Sequence, residues 1–328
     1  MTNSVSTTKQ EMFYIPIFLE SLRIDSILNF DLYLNVSKNL ILYRSADLPF
    51  TEETRQKLLE NKIDRLYITS ESKRNYQIYI EKNLSKILLD KDIKEEKKAG
   101  ILYETSTSLV REILDDPSLG ENVQRSKELV VNTVEYILKG REAFLNLLKI
   151  TSVDYYTYTH SVNVCTFVIA LAQQLGFNDE QFLHELGVGA LLHDVGKSKI
   201  SERILNKRTA LNPTEFEIMK KHPQWGVEIL SESNEIEKSS YYAVLQHHER
   251  GDGSGYPHGI TLDEMHIYGK LVAIADVFDA MTTSRAYQGA MDTFPALKIM
   301  LSQPGLFDEK LLSAFIELMG PKGLVKEK

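Results

Sequence analysis

What most constrains this chain is where its histidines fall. Five of the eight, His160, His193, His222, His247 and His248, lie with Asp194 and Asp276 in the stretch 160–276, each at or near the end of an apolar segment with helical spacing. A side chain at a helix end can point into a cleft shared with other helix ends. Nitrogen and carboxylate oxygen donors without thiolate suit iron, manganese or zinc in a hydrolytic centre better than a closed structural zinc site. Seven ligands are too many for one metal. They suit two ions side by side with an aspartate between them, the arrangement that clamps both the attacking and the leaving oxygen of a phosphoester.

Each ligand stands in a setting that asks for an explanation. A lone histidine on an apolar helix, as His160 would be by itself, is usually a satisfied core residue. His193 and Asp194 end the apolar run Leu186 to Leu192, where two adjacent ionisable groups are costly to bury unless something such as a metal compensates. His247 and His248 follow Tyr241 to Leu245 in the same way. Adjacent helical positions point about 100° apart, so both reach one ion only if the helix is ending, and Gly251 marks such an end. Asn212-Pro213-Thr214-Glu215 has the cap, proline and glutamate of a helix start. That helix is expected to close at His222, with Pro223 opening the next. Asp276 lies inside Leu271 to Phe278, where a helix cap gives no account of it. Asp279, three residues on, shares its face and is expected to support a ligand rather than be one.

Length and charge narrow the field further. At 328 residues two domains are the natural expectation, and 43% apolar content can build real cores. A net charge of -8 argues against binding long nucleic acid through a basic surface. A small dianionic ligand needs only local positive charge, which bound divalent cations can supply. The single cysteine, Cys165, sits in the apolar stretch Val162 to Ala172 and is expected to be a buried, inert thiol. One cysteine forms no internal disulfide, which fits a reducing cytosol. The start MTNSVSTTKQEM lacks a signal-peptide pattern and no apolar run approaches a membrane span, so a cytoplasmic protein without a membrane span is expected.

Along the chain, residues 12 to 69 carry mixed signals. Phe30 to Leu34 and Leu40 to Tyr43, joined by Asn35 to Asn39, predict a hairpin. Thr51 is placed to cap a helix ending near Asn61, and Ile63 to Ile68 alternates like a strand. The expectation is a small α+β domain over 1–95, with Tyr14, Tyr33, Tyr43 and Tyr67 as packing residues. The charged run Lys91 to Lys98 mixes both signs and reads as a solvated helix face or linker. Beyond it Ile101, Thr105, Leu109 and Ile113, then Leu129, Val130, Val134, Ile137 and Leu138, recur at helical spacing, with a break at Asp116 to Gly120. Such helices suit either packing within the chain or pairing in a homodimer.

Two strings carry a resemblance. His193-Asp194-Val195-Gly196-Lys197 resembles the HD signature of metal-dependent phosphohydrolases. The run from His247 to Pro257, HHERGDGSGYP, is similar to the HHExxDGxGYP signature of the HD-GYP family. Similarity continues in His222-Pro223, in Asp276 to Thr282 and in Phe307-Asp308, so that it spans roughly 98–322. The resemblance implies an all-helical HD-type domain over 96–328 that opens the bacterial second messenger cyclic di-GMP, the amino-terminal module being regulatory or accessory. It implies His160, His193, Asp194, His222, His247, His248 and Asp276 as metal ligands, with Asp194 bridging. It also implies Lys197 as a catalytic or phosphate-binding cation, and Tyr256, Arg250 and Arg285 as substrate contacts.

Two positions depart from the fullest family pattern. Members with a third metal carry a glutamate where this chain has Tyr156. A residue four before His160 on one helix would share its face and point at the same cleft. Tyr156 therefore favours two ions, iron or manganese, over three. Gln288 stands where a further basic residue is frequent. The combined expectation is a mostly α protein that hydrolyses cyclic di-GMP to linear di-GMP by a metal-activated hydroxide. The alternatives are a non-catalytic cyclic di-GMP receptor, a platform for diguanylate cyclase (GGDEF) domains, and a phosphodiesterase for another cyclic nucleotide.

Overall fold

The computed structural model describes residues 13–117, 120–151, 156–207, 209–283 and 290–320, so Arg285 and Gln288 lie outside the described residues. The chain divides into two compact units, Met1–Ile93 and Lys94–Lys328.

The first unit is α+β. Its strands are β1 (Tyr14–Phe18), β2 (Ser26–Ile27), β3 (Leu32–Val36), β4 (Asn39–Arg44) and β5 (Pro49–Phe50), followed by α1 (Glu52–Glu60), β6 (Arg65–Thr69) and α2 (Lys73–Leu89). Four strands form an antiparallel sheet in the order β1-β6-β3-β4, and β2 pairs with β5. The β3–β4 hairpin is tighter than the five-residue joint expected. Ser37 and Lys38 both take positive φ, 52° and 69°, so two residues make the turn and the strands run on to Val36 and from Asn39. Thr51 caps α1, its side chain accepting from the Thr54 amide at 3.3 Å. The unmarked strand β1 carries Pro16 at a sheet edge, where a missing N–H is tolerated. Tyr14 and Tyr33 pack edge to face at 4.9 Å.

The second unit is helical apart from an isolated bridge, Asp252 to Thr261. It opens with α3 (Glu95–Asp115), α4 (Gly120–Leu138), α5 (Arg141–Ile150), α6 (Thr157–Gln174) and α7 (Glu180–Leu191). It continues with α8 (Glu202–Leu205), α9 (Pro213–Met219), α10 (His222–Glu232), α11 (Ser240–Gln246), α12 (Ile267–Thr282), α13 (Thr293–Leu301) and α14 (Glu309–Met319). Helix α6 is apolar nearly all round, and it is correspondingly the central helix, packed against α3, α7, α12 and α14. Phe167, Phe278 and Phe315 interlock at 5.1–6.2 Å and tie α6, α12 and α14 together. The stripes of α3 and α4 are buried within this unit, against α5, α6 and α7. One residue of the charged run is not solvated: Lys98 is buried and paired with Glu95 at 2.6 Å. Among the described residues no helix is long and apolar enough to cross a membrane.

Candidate metal centre

Helix ends deliver the ligands. Helix α7 stops at Leu191, Leu192 caps it, and His193 and Asp194 follow as the chain enters a short 3-10 turn, Val195–Lys199. Helix α11 stops at Gln246 with His247 as its cap, so the chain turns between His247 and His248 and both rings reach one cleft. His160 lies in the first turn of α6, and Asp276 in the middle of α12. His222 does not close a helix, contrary to the sequence expectation: the preceding helix ends at Met219, and His222 starts the next, with Pro223 in its first turn. Gly196 lets that turn meet α10, because a Cβ there would collide with the His222 carbonyl.

The ligand atoms fall into two groups, His160, His193 and Asp276 in one, Asp194, His222, His247 and His248 in the other, each within 4.8 Å of its fellows. Asp194 touches both. Its Oδ2 lies 3.5 Å from His193 Nε2 and 3.8 Å from His160 Nε2, while its Oδ1 lies 3.3 Å from His222 Nε2 and 3.8 Å from His247 Nε2. Asp276 reaches across as well, 3.0 Å from His160 Nε2 and 3.7 Å from His248 Nδ1. All seven residues sit in the interior except His248, which keeps 21% of its side chain exposed.

Proton positions follow from the outer partners. His193, His222 and His247 each place Nδ1 2.7 Å from the backbone carbonyl three residues earlier, on Ala190, Met219 and Val244. His160 places Nδ1 2.7 Å from the Asp279 carboxylate. Carbonyls and carboxylates accept only, so each Nδ1 carries the proton and each Nε2 turns a lone pair inward. Those lone pairs then meet: His160 and His193 at 3.3 Å, His222 and His247 at 3.1 Å. Asp194 Oδ1 is buried with no hydrogen-bond donor. Converging lone pairs without protons are unfavourable unless a cation lies among them, so the residues present fit divalent metal ions.

Electrostatics agree. Burial holds the imidazoles of His193, His247 and His248 below their ordinary range and hence neutral, the form that ligates metal. Burial alone would raise Asp194, but the Lys197 ammonium beside it opposes this, and the carboxyl is held well below the usual range.

The remaining sequence-predicted residues line the cleft unevenly. Lys197 is turned onto the site, its Nζ 2.5 Å from Asp194 Oδ2. Tyr256 stacks on His248 at 4.7 Å, and burial pushes its phenol above the ordinary range, so it stays a donor. Arg250 is less direct, its guanidinium lying 5.6 Å over the Phe307 ring. Tyr156 is a clear correction. It is the extended residue that caps α6 rather than a residue of its first turn, 55% exposed and stacked on Tyr158.

Two supporting residues had no role in the sequence reading. Glu249 is fully buried and its carboxylate accepts from the amides of His258, Gly259 and Ile260 at 2.8, 3.0 and 3.2 Å, which closes the loop carrying Tyr256. The same loop needs Gly255, where a Cβ would strike the backbone of Glu249 and Arg250, and Gly253, whose φ is +79°. Asn163 donates to Asp279 Oδ1 at 2.8 Å. Its signal was its spacing, one helical turn after His160.

Residues 135–311, more than half of the chain, match the HD domain family, and the chain belongs to that family. It is 32% identical over 238 residues to a cyclic di-GMP phosphodiesterase of Pseudomonas aeruginosa, covering 72% of this chain and 56% of the relative. It is 37% identical over 206 residues to a cyclic di-GMP phosphodiesterase of Thermotoga maritima, covering 60% of this chain and 56% of the relative. The chain thus spans about half the length of the curated relatives it matches. Bd1817, a HDG"Y"P protein from Bdellovibrio bacteriovorus, shares the fold at a TM-score of 0.65 and 24% identity, over 94% of this chain and 99% of that one.

Proposed function

We propose that this chain is a metal-dependent phosphodiesterase that hydrolyses cyclic di-GMP to the linear dinucleotide. The observation that carries the reading is Asp194, whose two oxygens face two separate groups of histidines, the layout of a binuclear hydrolytic centre. The proposed ligands are His160, His193 and Asp276 for one ion and His222, His247 and His248 for the other, with Asp194 between them. Seven N/O ligands with water would fill two roughly octahedral shells, which favours iron or manganese over tetrahedral zinc. Bound there, the cations lower the pKa of a water molecule and offset phosphate charge.

The chain's own groups complete the chemistry. Lys197, oriented by Asp194, offers an ammonium to a phosphate oxygen as charge develops on it. Tyr256 donates its phenol to the same diester or stacks on a base. Arg250 and Arg285 are the proposed guanidinium contacts to the second phosphate. The candidate ligands form two groups, so two ions are proposed, with linear di-GMP as the end product. The similarity to enzymes named for cyclic di-GMP supports the substrate. In this reading the amino-terminal unit is regulatory or accessory, the protein is cytoplasmic, and diguanylate cyclase domains or a second copy are its candidate protein partners.

Anaerobic purification, elemental analysis and a turnover assay test the proposal together. About two iron or manganese ions per chain and conversion of cyclic di-GMP to its linear form are expected, with loss of both on chelation. Binding of cyclic di-GMP without consumption, at full metal content, would replace the enzyme with a receptor.

A further inference from the structure

Upstream of the residues matched to the HD domain, a tyrosine ends a line of hydrogen bonds that leads to His160. The Tyr103 hydroxyl of α3 lies 3.0 Å from Asn163 Oδ1 on α6. Asn163 Nδ2 lies 2.8 Å from Asp279 Oδ1 on α12, and Asp279 Oδ2 lies 2.7 Å from His160 Nδ1. All four side chains are buried, Tyr103 at 6% exposure and the other three at 1%.

One carboxylate sets the direction of every bond in the line. Asp279 accepts only, so Asn163 must present its amide NH2 and His160 must carry its proton on Nδ1. Asn163 is then left with its oxygen toward α3, and Tyr103 must donate to it. Without that hydroxyl, nothing in this line prevents the amide from rotating by 180°, which would set its oxygen against the carboxylate. The carboxylate would then shift, and His160 would lose the acceptor that fixes its ring and tautomer.

We infer that Tyr103 and Asn163 are positioning residues for His160, holding its Nε2 lone pair toward the metal centre from outside the ligand set. What His160 binds rests on the binuclear reading above. That His160 keeps a proton on Nδ1 toward Asp279 does not.

The experiment uses the full-length protein. With 15N-labelled histidine and no metal, long-range proton–nitrogen correlation spectra report each imidazole tautomer, and His160→Gln assigns the His160 signals. Wild type should show His160 with its proton on Nδ1, and both Tyr103→Phe and Asn163→Ala should show a mixture of tautomers. Mn2+ binding to the metal-free proteins, read by titration, should then weaken in the group of His160, His193 and Asp276. The expected loss is roughly tenfold to a hundredfold in Asn163→Ala and about threefold to tenfold in Tyr103→Phe, which breaks the line one bond further out. A merely structural role for Tyr103 would lower the melting temperature and leave the tautomer and the Mn2+ affinity alone, which overturns the inference. If Asn163→Ala does not fold, Tyr103→Phe, which removes a single oxygen atom, carries the test. A wild type with His160 fixed in the Nδ1–H form that binds no Mn2+ supports the line of hydrogen bonds and sinks the binuclear reading instead.

Discussion

The two groups of candidate ligands are held in place by different means. In the group of Asp194, His222, His247 and His248, the rings of His222 and His247 are each fixed by the backbone carbonyl three residues earlier. In the other group His193 uses the same device, but His160 depends on Asp279 and Asn163, which are brought to it by helix packing. The first kind of support travels with the local sequence and cannot be removed by changing a side chain. The second exists only while α3, α6 and α12 pack together, and a single substitution can break it. One half of the centre is therefore expected to be robust to mutation around it and the other half vulnerable.

Substitutions at four positions sharpen or break that contrast. Asp194→Ala removes the residue whose two oxygens face the two groups and should have the largest effect: metal content falls in both and turnover drops by more than about a hundredfold. Retention of either at wild-type level, by elemental analysis and product chromatography, would break the shared-centre picture. Asp279→Ala should separate the groups. Metal per chain after dialysis should fall from about two toward about one, with affinity in the His160 group weakened roughly tenfold to a hundredfold. Loss of both ions at once would show that the groups do not act separately.

Glu249→Ala acts on the loop rather than on the ligands. It leaves three loop amides without their carboxylate acceptor and should cost about 2 kcal/mol, read as a melting temperature lower by roughly 4–8 °C, with metal content retained. Glu249→Gln keeps one acceptor oxygen and should lie between the two. The smallest effect is expected from Tyr156→Glu. Because Tyr156 stands outside the helix and faces Tyr158, a carboxylate there should leave both metal count and product unchanged. A count rising toward three would mean that this residue swings into the cleft.

Much of the centre was legible before any coordinates. Four of the seven candidate ligands stand in the HD and HD-GYP strings, and the position of Asp276 within an apolar run already marked it as unusual. Elsewhere adjacency misled. Four residues before His160 is a helical neighbour only if the helix has begun, and α6 begins at Thr157. Lys98 looked like part of a solvated charge run and is buried against Glu95. In the first unit the hairpin was visible, but its turn length was not, because positive φ at Ser37 and Lys38 carries no sequence mark as strong as a glycine.

What the sequence determined by itself are the local terms: helix ends at His193 and His247, the carbonyl three residues back that each ring uses, and the glycines that let the loop around Tyr256 close. Tertiary structure alone decided which groups face one another. The two sides of Asp194, the pairing of His160 with His193, and the line from Tyr103 through Asn163 and Asp279 join residues on helices far apart in the chain. The physical reason is that helical periodicity fixes the face a side chain occupies but not its neighbour, and the neighbour is chosen when α6 and α12 bury their apolar surfaces against each other.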